Sequence, residues 1–270
     1  MDNLDSTASP ESQEQELSHS DKMIGIFSEP SSTFEKISKF PAKTIDWFLP
    51  ILLLLIFVSI SQIVIRTNPD LAYQIKQKQT EAMDKRLQDE VQSGKITQEQ
   101  ANQQRDMAQE QMDKMSGGVG MVFQTIGILI FGFIMFFIMT GIYFLLTKFV
   151  LKGEGTYNAA MVANGLTAYI GIVGIIIATI VSMLMGKLMP DTSVASLIGM
   201  NKLTIGGWLL AKLDIFTIWA YIILSIGLAK MFKSSSTQKY YAMVFGVWII
   251  GGLILFFLAK TVPFLKTFSM

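Results

Sequence analysis

The chain of 270 residues is 51 % apolar and only 16 % charged, where a soluble domain carries about 25 % charged residues. Its net charge of +1 supplies no basic field for nucleic acid, and the absence of cysteine removes disulfides and thiol chemistry. With one histidine, His19, histidine triads and multi-histidine metal sites are excluded and a histidine general base is disfavoured.

Residues 1–21 hold six acids and no lysine or arginine. They read as a disordered acidic tail, not as a cleavable secretory signal, and His19 falls inside this tail. Residues 22–46 form a lead-in. Pro30 suits a first helical turn, Phe34 and Ile37 share one face, and Lys36 and Lys39 can reach headgroups. That pattern predicts a short interfacial helix on the cytoplasmic surface, ended by Pro41, with Trp47 in the aromatic belt.

A span needs roughly 20 apolar residues. The first lies at 47–66 and is closed by Arg66. Residues 67–116 are rich in glutamine and mixed charge, and Gly94 suits the position just past a helix end. Thr97 with Gln100 makes a capping box, and Ile96 with Ala101 a hydrophobic staple. The segment is expected to be an extracytoplasmic helical hairpin, roughly 71–93 and 98–115. Its apolar stripes are Leu71, Ile75, Met83, Leu87 and Val91 on one arm, and Ala101, Ala108, Met112 and Met115 on the other. Two readings stay open, a spacer packed on itself and a docking arm for a partner.

Four more spans fill the remainder, 117–262, at 119–147, 159–186, 213–232 and 240–259, before an outer tail at 263–270. The second span, rich in Phe and Met, reads as lipid-facing bulk. The third carries small residues four apart: Ala159, Ala163, Thr167 and Gly171, then Gly174, Ala178, Ser182 and Gly186. Such a ridge allows close helix approach, within the chain or at a dimer or partner interface. Asn164 fits a structural hydrogen bond. Residues 192–211 are too apolar for a plain loop and too short to cross, so they are interfacial or re-entrant pieces, with Gly206 and Gly207 permitting a bend.

The stretch "AKLDIFTIW" opens the fourth span. Asp214 suits a helix N-terminus, where a carboxylate caps free N–H groups. Lys212 either snorkels or pairs with Asp214. Trp219, deeper in the span, is a packing anchor. On this reading the fourth span begins at Leu213, not at Leu203. With the N-terminus inside, nine lysines flank the inner span ends and six basic residues the outer ones, which places the N-terminus in the cytoplasm and the C-terminus outside. The fold class is all-α, a polytopic membrane bundle of five spans with an extramembrane hairpin.

Walker, His-Glu-x-x-His and Gly-x-Ser-x-Gly motifs are missing, and acids are nearly absent from mid-span, against a proton-coupled transporter. No cofactor motif is present. Asp191, Lys212 and Asp214 are the only groups an intramembrane enzyme would have.

"LDIFTIWAYIILSIGLAKMFKSSSTQKYYAMVFGVWII" resembles the C-terminal half of bacterial Yip-one (Ypt-interacting protein) domain proteins. Asp214, Phe216, Trp219, Gly227, Leu228 and Ala229 carry the resemblance. "IFSEPSSTFEKISKFP" is similar to that family's lead-in, through Phe27, Pro30, Phe34 and Ile37. The likeness covers roughly residues 23–66 and 117–262, with the hairpin as an insertion. It departs at "LTAYIGI", where the family has a proline soon after the tyrosine.

The resemblance implies a non-enzymatic membrane protein. Eukaryotic relatives bind Rab-type GTPases in vesicle traffic, and some bacterial relatives look like accessory subunits of ABC-type exporters. It implies no catalytic residues. The expected function is an accessory or scaffold protein of the bacterial inner membrane, with lipid, other membrane proteins such as an ABC-type transporter, or a second copy as partners. The alternative is a lipid or small-molecule transporter or scramblase.

Overall fold

The computed structural model describes residues 15–115 and 117–261, so the expectations for residues 1–14 and 263–270 lie outside the described residues. Every regular element among these residues is a helix: α1 (His19–Ser28), α2 (Pro30–Ile37), α3 (Ile45–Thr67), α4 (Pro69–Gln92) and α5 (Gln98–Met115). There follow α6 (Gly118–Leu145), α7 (Tyr157–Leu166), α8 (Ala168–Met185), α9 (Val194–Ile198), α10 (Ile205–Ala211), α11 (Ile215–Met231), α12 (Gln238–Gly246) and α13 (Gly252–Thr261). Wide π-type turns at Leu146–Val150 and Val247–Gly251 continue α6 and join α12 to α13.

Among the described residues, four helical stretches are long and apolar enough to cross a membrane: Ile45–Thr67, Gly118–Val150, Tyr157–Met185 and Gln238–Leu258. A fifth exists if α10 and α11, bent by 60° at the break between them, act as one span. Taken alone, α11 has 17 residues and reaches about 25 Å, short of the ~30 Å hydrocarbon thickness. The chain is thus a polytopic helical bundle.

The core forms where α3, α7, α8 and α11 meet, with α2 laid against α11. Ala160, Val162, Ala163, Leu166, Ile170 and Leu228 have no exposure at all. In contrast, α6 shows Val119, Phe123, Ile130 and Phe137 on its surface, as a lipid-facing helix does. Asn164 Nδ2 donates to Thr140 Oγ1 at 2.8 Å and ties α7 to α6, the structural bond expected of it.

Two sequence readings of this region need correction. The acidic tail does not reach residue 21, because α1 begins at His19. Ser18 caps it, its hydroxyl accepting from the Asp21 amide while the Asp21 carboxylate accepts from Ser18 N–H at 3.1 Å. The 22–46 lead-in is two helices rather than one surface-lying helix. Phe34 and Ile37 are buried, together with Ile26 of α1, in the protein core and not in lipid.

The third span is one stretch broken at Thr167, whose hydroxyl donates to Asn164 O at 2.6 Å. The break comes two residues before Tyr169. A backbone-bonded threonine is one of the recognised ways to bend a helix.

Candidate functional site

At the head of α11, Asp214 is buried and its two carboxylate oxygens are separately engaged. Oδ1 accepts from Thr217 N–H at 2.8 Å, the cap expected from the sequence, and Oδ2 accepts from Thr192 Oγ1 at 2.8 Å. The second bond ties the segment before α9 to the start of the span, and Val194 N–H donating to Leu213 O adds a backbone bond. Lys212 does not pair with Asp214. Its ammonium lies between two indoles, 5.0 Å from the Trp208 ring centre and 5.1 Å from Trp248. The charge is held by ring quadrupoles, a use of lysine that the sequence reading did not weigh.

Asp191 organises the loop that precedes α9. Its Oδ1 accepts from Ser193 N–H, Ser193 Oγ and Ser196 Oγ at 3.1, 2.6 and 2.5 Å, and its Oδ2 accepts from the Lys202 ammonium. Burial works to raise this carboxyl, but the bonds from Lys202, Ser193 and Ser196 outweigh it and hold it below the usual aspartate range. Residues 192–211 therefore form two short helices, α9 and α10, packed over the head of α11.

Leu213 and Ile215 of the "AKLDIFTIW" stretch are exposed, whereas Phe216 and Trp219, with Gly227 further along α11, pack against other helices of the chain. Phe216 faces Gly174, where an added methyl would lie 3.0 Å from Phe216 Cβ. Trp219 meets Phe27 of α1 edge-on at 5.6 Å between ring centres. Gly227 lies under the Phe34 ring, and a methyl there would stand 2.9 Å from Cζ. The N-terminal and C-terminal parts of the family pattern, far apart in sequence, are thus in direct contact.

The small-residue ridge splits between two neighbours. Gly171 faces Leu54 of α3, whereas Gly174 faces α11. Ala159, Ala163, Thr167, Ala178 and Ser182 are buried. Ser182 Oγ accepts from Met189 N–H at 3.1 Å, and Gly186 ends α8 in a left-handed conformation. Among the glycines of the third span, the tightest approach belongs to one outside the ridge: a methyl at Gly165 would lie 2.5 Å from Trp47 Cα. Apart from Gly186, which has open space beside it, the ridge packs within the chain.

One cluster went unread in the sequence. His19 Nδ1 lies 2.9 Å from Asp46 Oδ1, and His19 Nε2 lies 2.7 Å from the Tyr169 hydroxyl. Asp46, 1 % exposed, also accepts from Lys22 Nζ at 2.6 Å, and Lys22 is 3 % exposed. These bonds latch α1 to the start of α3 and to α8. The order acid–imidazole–phenol has the geometry of a proton relay, but its last member is a tyrosine held in the core cluster. The Ser18–Asp21 capping pair does signal a helix starting inside the expected tail, although not the distant residues that His19 meets.

Beyond the bundle, α4 and α5 pair as the predicted hairpin. The capping box is present, with Thr97 N–H donating to Gln100 Oε1 at 2.9 Å and Gln100 N–H to Thr97 Oγ1 at 3.2 Å. Gly94, at φ +70°, and Lys95 close α4 through bonds to Val91 O and Glu90 O. Arg105 Nε meets Asp84 Oδ1 across the arms at 2.8 Å. Gln74 fastens the base of the hairpin to the end of α8, donating to Gly186 O at 2.8 Å and accepting from Leu188 N–H at 3.0 Å. Of the predicted stripes, Leu71, Leu87 and Ala101 are fully buried, and the side chain of Met115 lies outside the described residues.

The model of the Yip1 domain matches residues 24–259 of this chain, from α1 through α13. The chain belongs to the Yip1 domain family. No curated protein and no solved structure matches it. Within the Yip1 domain, both halves of the sequence signature lie at the α1–α2–α11 contact, and the hairpin lies inside the matched range. Among the described residues, no group of three His, Asp or Glu side chains is placed to hold a metal.

Proposed function

We propose that this Yip1 domain protein is a non-enzymatic accessory or scaffold subunit of a membrane complex, with the α4–α5 hairpin as its contact arm. The observation that carries the reading is the hairpin itself. Among the described side chains of its arms of 24 and 18 residues, only Leu71, Leu87 and Ala101 are completely buried. An arm of 24 residues spans about 36 Å, so its exposed flank exceeds what a simple link between two spans requires. The candidate acid–base groups support the same reading: Asp191, Asp214 and Lys212 are each engaged in holding α9, α10 and α11 together.

On this proposal the protein sits in a bacterial inner membrane with its N-terminus in the cytoplasm, its C-terminus outside and the hairpin on the outer face. The lysine distribution supports that orientation. An ABC-type exporter is the partner class that the family resemblance favours, and a second copy of the chain is the competing partner. Extraction in mild detergent tests the reading. A membrane protein at fixed stoichiometry with this chain is expected, and a monomer running alone contradicts it.

A transporter or scramblase is the second reading, favoured by the broken stretches at Thr167 and at residues 212–214. Discontinuous helices line substrate paths in many transporters. Flux of lipid or solute in reconstituted liposomes no greater than in empty ones would remove it.

A further inference from the structure

A cavity of about 740 Å³ opens between the hairpin base and α6, at the C-terminal end of the α3 span. This size falls within the ~300–1,000 Å³ of typical ligand pockets. Its polar wall includes Arg66, Lys76 and Gln124, and its apolar wall includes Ile75, Met112 and Met121. Among its described lining residues there is no aspartate or glutamate.

Arg66 is the telling member. Its Nε is buried and has no hydrogen-bond partner. A buried donor on a charged group that lacks an acceptor is costly, and native structures supply one. The gap beneath it, bounded by Ser59, Gln62 and Gln124, is only about 10 Å³, barely the room one water needs. The acceptor is therefore better delivered from the large cavity.

We propose that this cavity binds the phosphate-bearing headgroup of an anionic phospholipid. A guanidinium matches phosphate oxygens with paired donors, and Gln124 can add a neutral donor beside it. The apolar wall accepts the glycerol and upper acyl region. Below the mouth, α6 continues with exposed Val122, Phe123, Ile126 and Ile130, a surface along which an acyl chain can lie. Free inorganic phosphate shares the anionic chemistry, but the cavity's largely apolar wall and its place at the span end favour the lipid. This site does not rest on the scaffold reading, since a lipid held at the hairpin base serves a subunit and a transporter alike.

The test uses the full chain purified in detergent, with bound lipid counted by native mass spectrometry. Phosphatidylglycerol, phosphatidylcholine and inorganic phosphate are the probes. Wild type is expected to retain phosphatidylglycerol about tenfold more tightly than phosphatidylcholine, and Arg66→Gln is expected to abolish that preference. Arg66→Lys should keep part of it. Met112→Trp fills the cavity while leaving Arg66 in place, and is expected to expel the lipid; it carries the test if Arg66→Gln fails to fold. Equal retention of the two lipids by wild type, or unchanged retention in both Arg66→Gln and Met112→Trp, would overturn the proposal. Displacement of the lipid by millimolar inorganic phosphate would overturn it as well, by assigning the site to the free ion.

Discussion

The lead-in pair α1–α2 and the hairpin pair α4–α5 both lie outside the spans, yet they are built on opposite principles. The helices α1 and α2, of ten and eight residues, drive Ile26, Phe34 and Ile37 into the common core and add a buried ion pair, Lys22 with Asp46. The hairpin is more than twice as long, yet among its described side chains three are fully buried, and its arms pack on each other and, at the base, on α3 and α6. Length in sequence does not measure integration. What counts is apolar area removed from water, at roughly 25 cal/mol per Å², and the lead-in removes more per residue. One pair is part of the bundle; the other is a surface offered by it.

If that contrast holds, the largest loss comes from the lead-in. Phe34→Ala empties the space over Gly227 and is expected to cost about 3–5 kcal/mol, read as lower thermal stability in detergent and loss of amide protection across α1 and α2. Asp46→Ala strands Lys22 in a buried site and should cost about 3 kcal/mol, softened because Glu16 also reaches Lys22 at 3.4 Å. Gly227→Ala crowds Phe34 from the other side, at about 1–3 kcal/mol. On the hairpin side, Leu87→Ala should expose amides in α4 and α5 to exchange while the unfolding temperature of the bundle stays put. An equal fall in bundle stability would show that the two regions are one unit.

Smaller effects sharpen the account at the head of α11. Asp214→Ala removes the cap and should cost about 1 kcal/mol, whereas Asp214→Asn, which still accepts from Thr217 N–H, should cost less. Asp191 supplies a pH test. Its folded pKa is depressed, so its contribution is present above the ordinary aspartate value of about 3.9 and is lost as pH falls through the lower folded value. Trp208 lies in α10, directly after the Asp191–Lys202 contact, so its fluorescence is expected to change in that acid window and to stay flat from pH 5 upward. A transition near neutrality would contradict this.

Much of this architecture was legible because lipid simplifies the code. Continuous apolar runs gave four of the spans to within three residues, while the fourth predicted one, 213–232, becomes long enough to cross only with α10 added, and the Thr97–Gln100 box and the Asp214 cap were legible because capping is local chemistry. What escaped depended on distant partners. Nothing near Lys212 in sequence announces Trp248, and nothing near His19 announces Asp46 and Tyr169. The ridge of small residues was visible, but its division between Leu54 and Phe216 was not, because a helix with small residues on two sides reads the same whichever neighbour each side meets. Phe34 and Ile37 were assigned to lipid rather than to the core because an amphipathic face shows that it is buried, not what buries it.

The central claim is that the hairpin is an interaction arm and the bundle stands without it. The direct measurement is co-purification from membranes of the wild-type chain and of a variant in which residues 71–115 are replaced by a short Gly-Ser linker. The account predicts that the variant folds with near-native thermal stability but runs alone, while wild type carries a membrane partner at fixed stoichiometry. Retention of the same partner by a folded variant, or a wild-type chain that runs as a bare monomer, would contradict it.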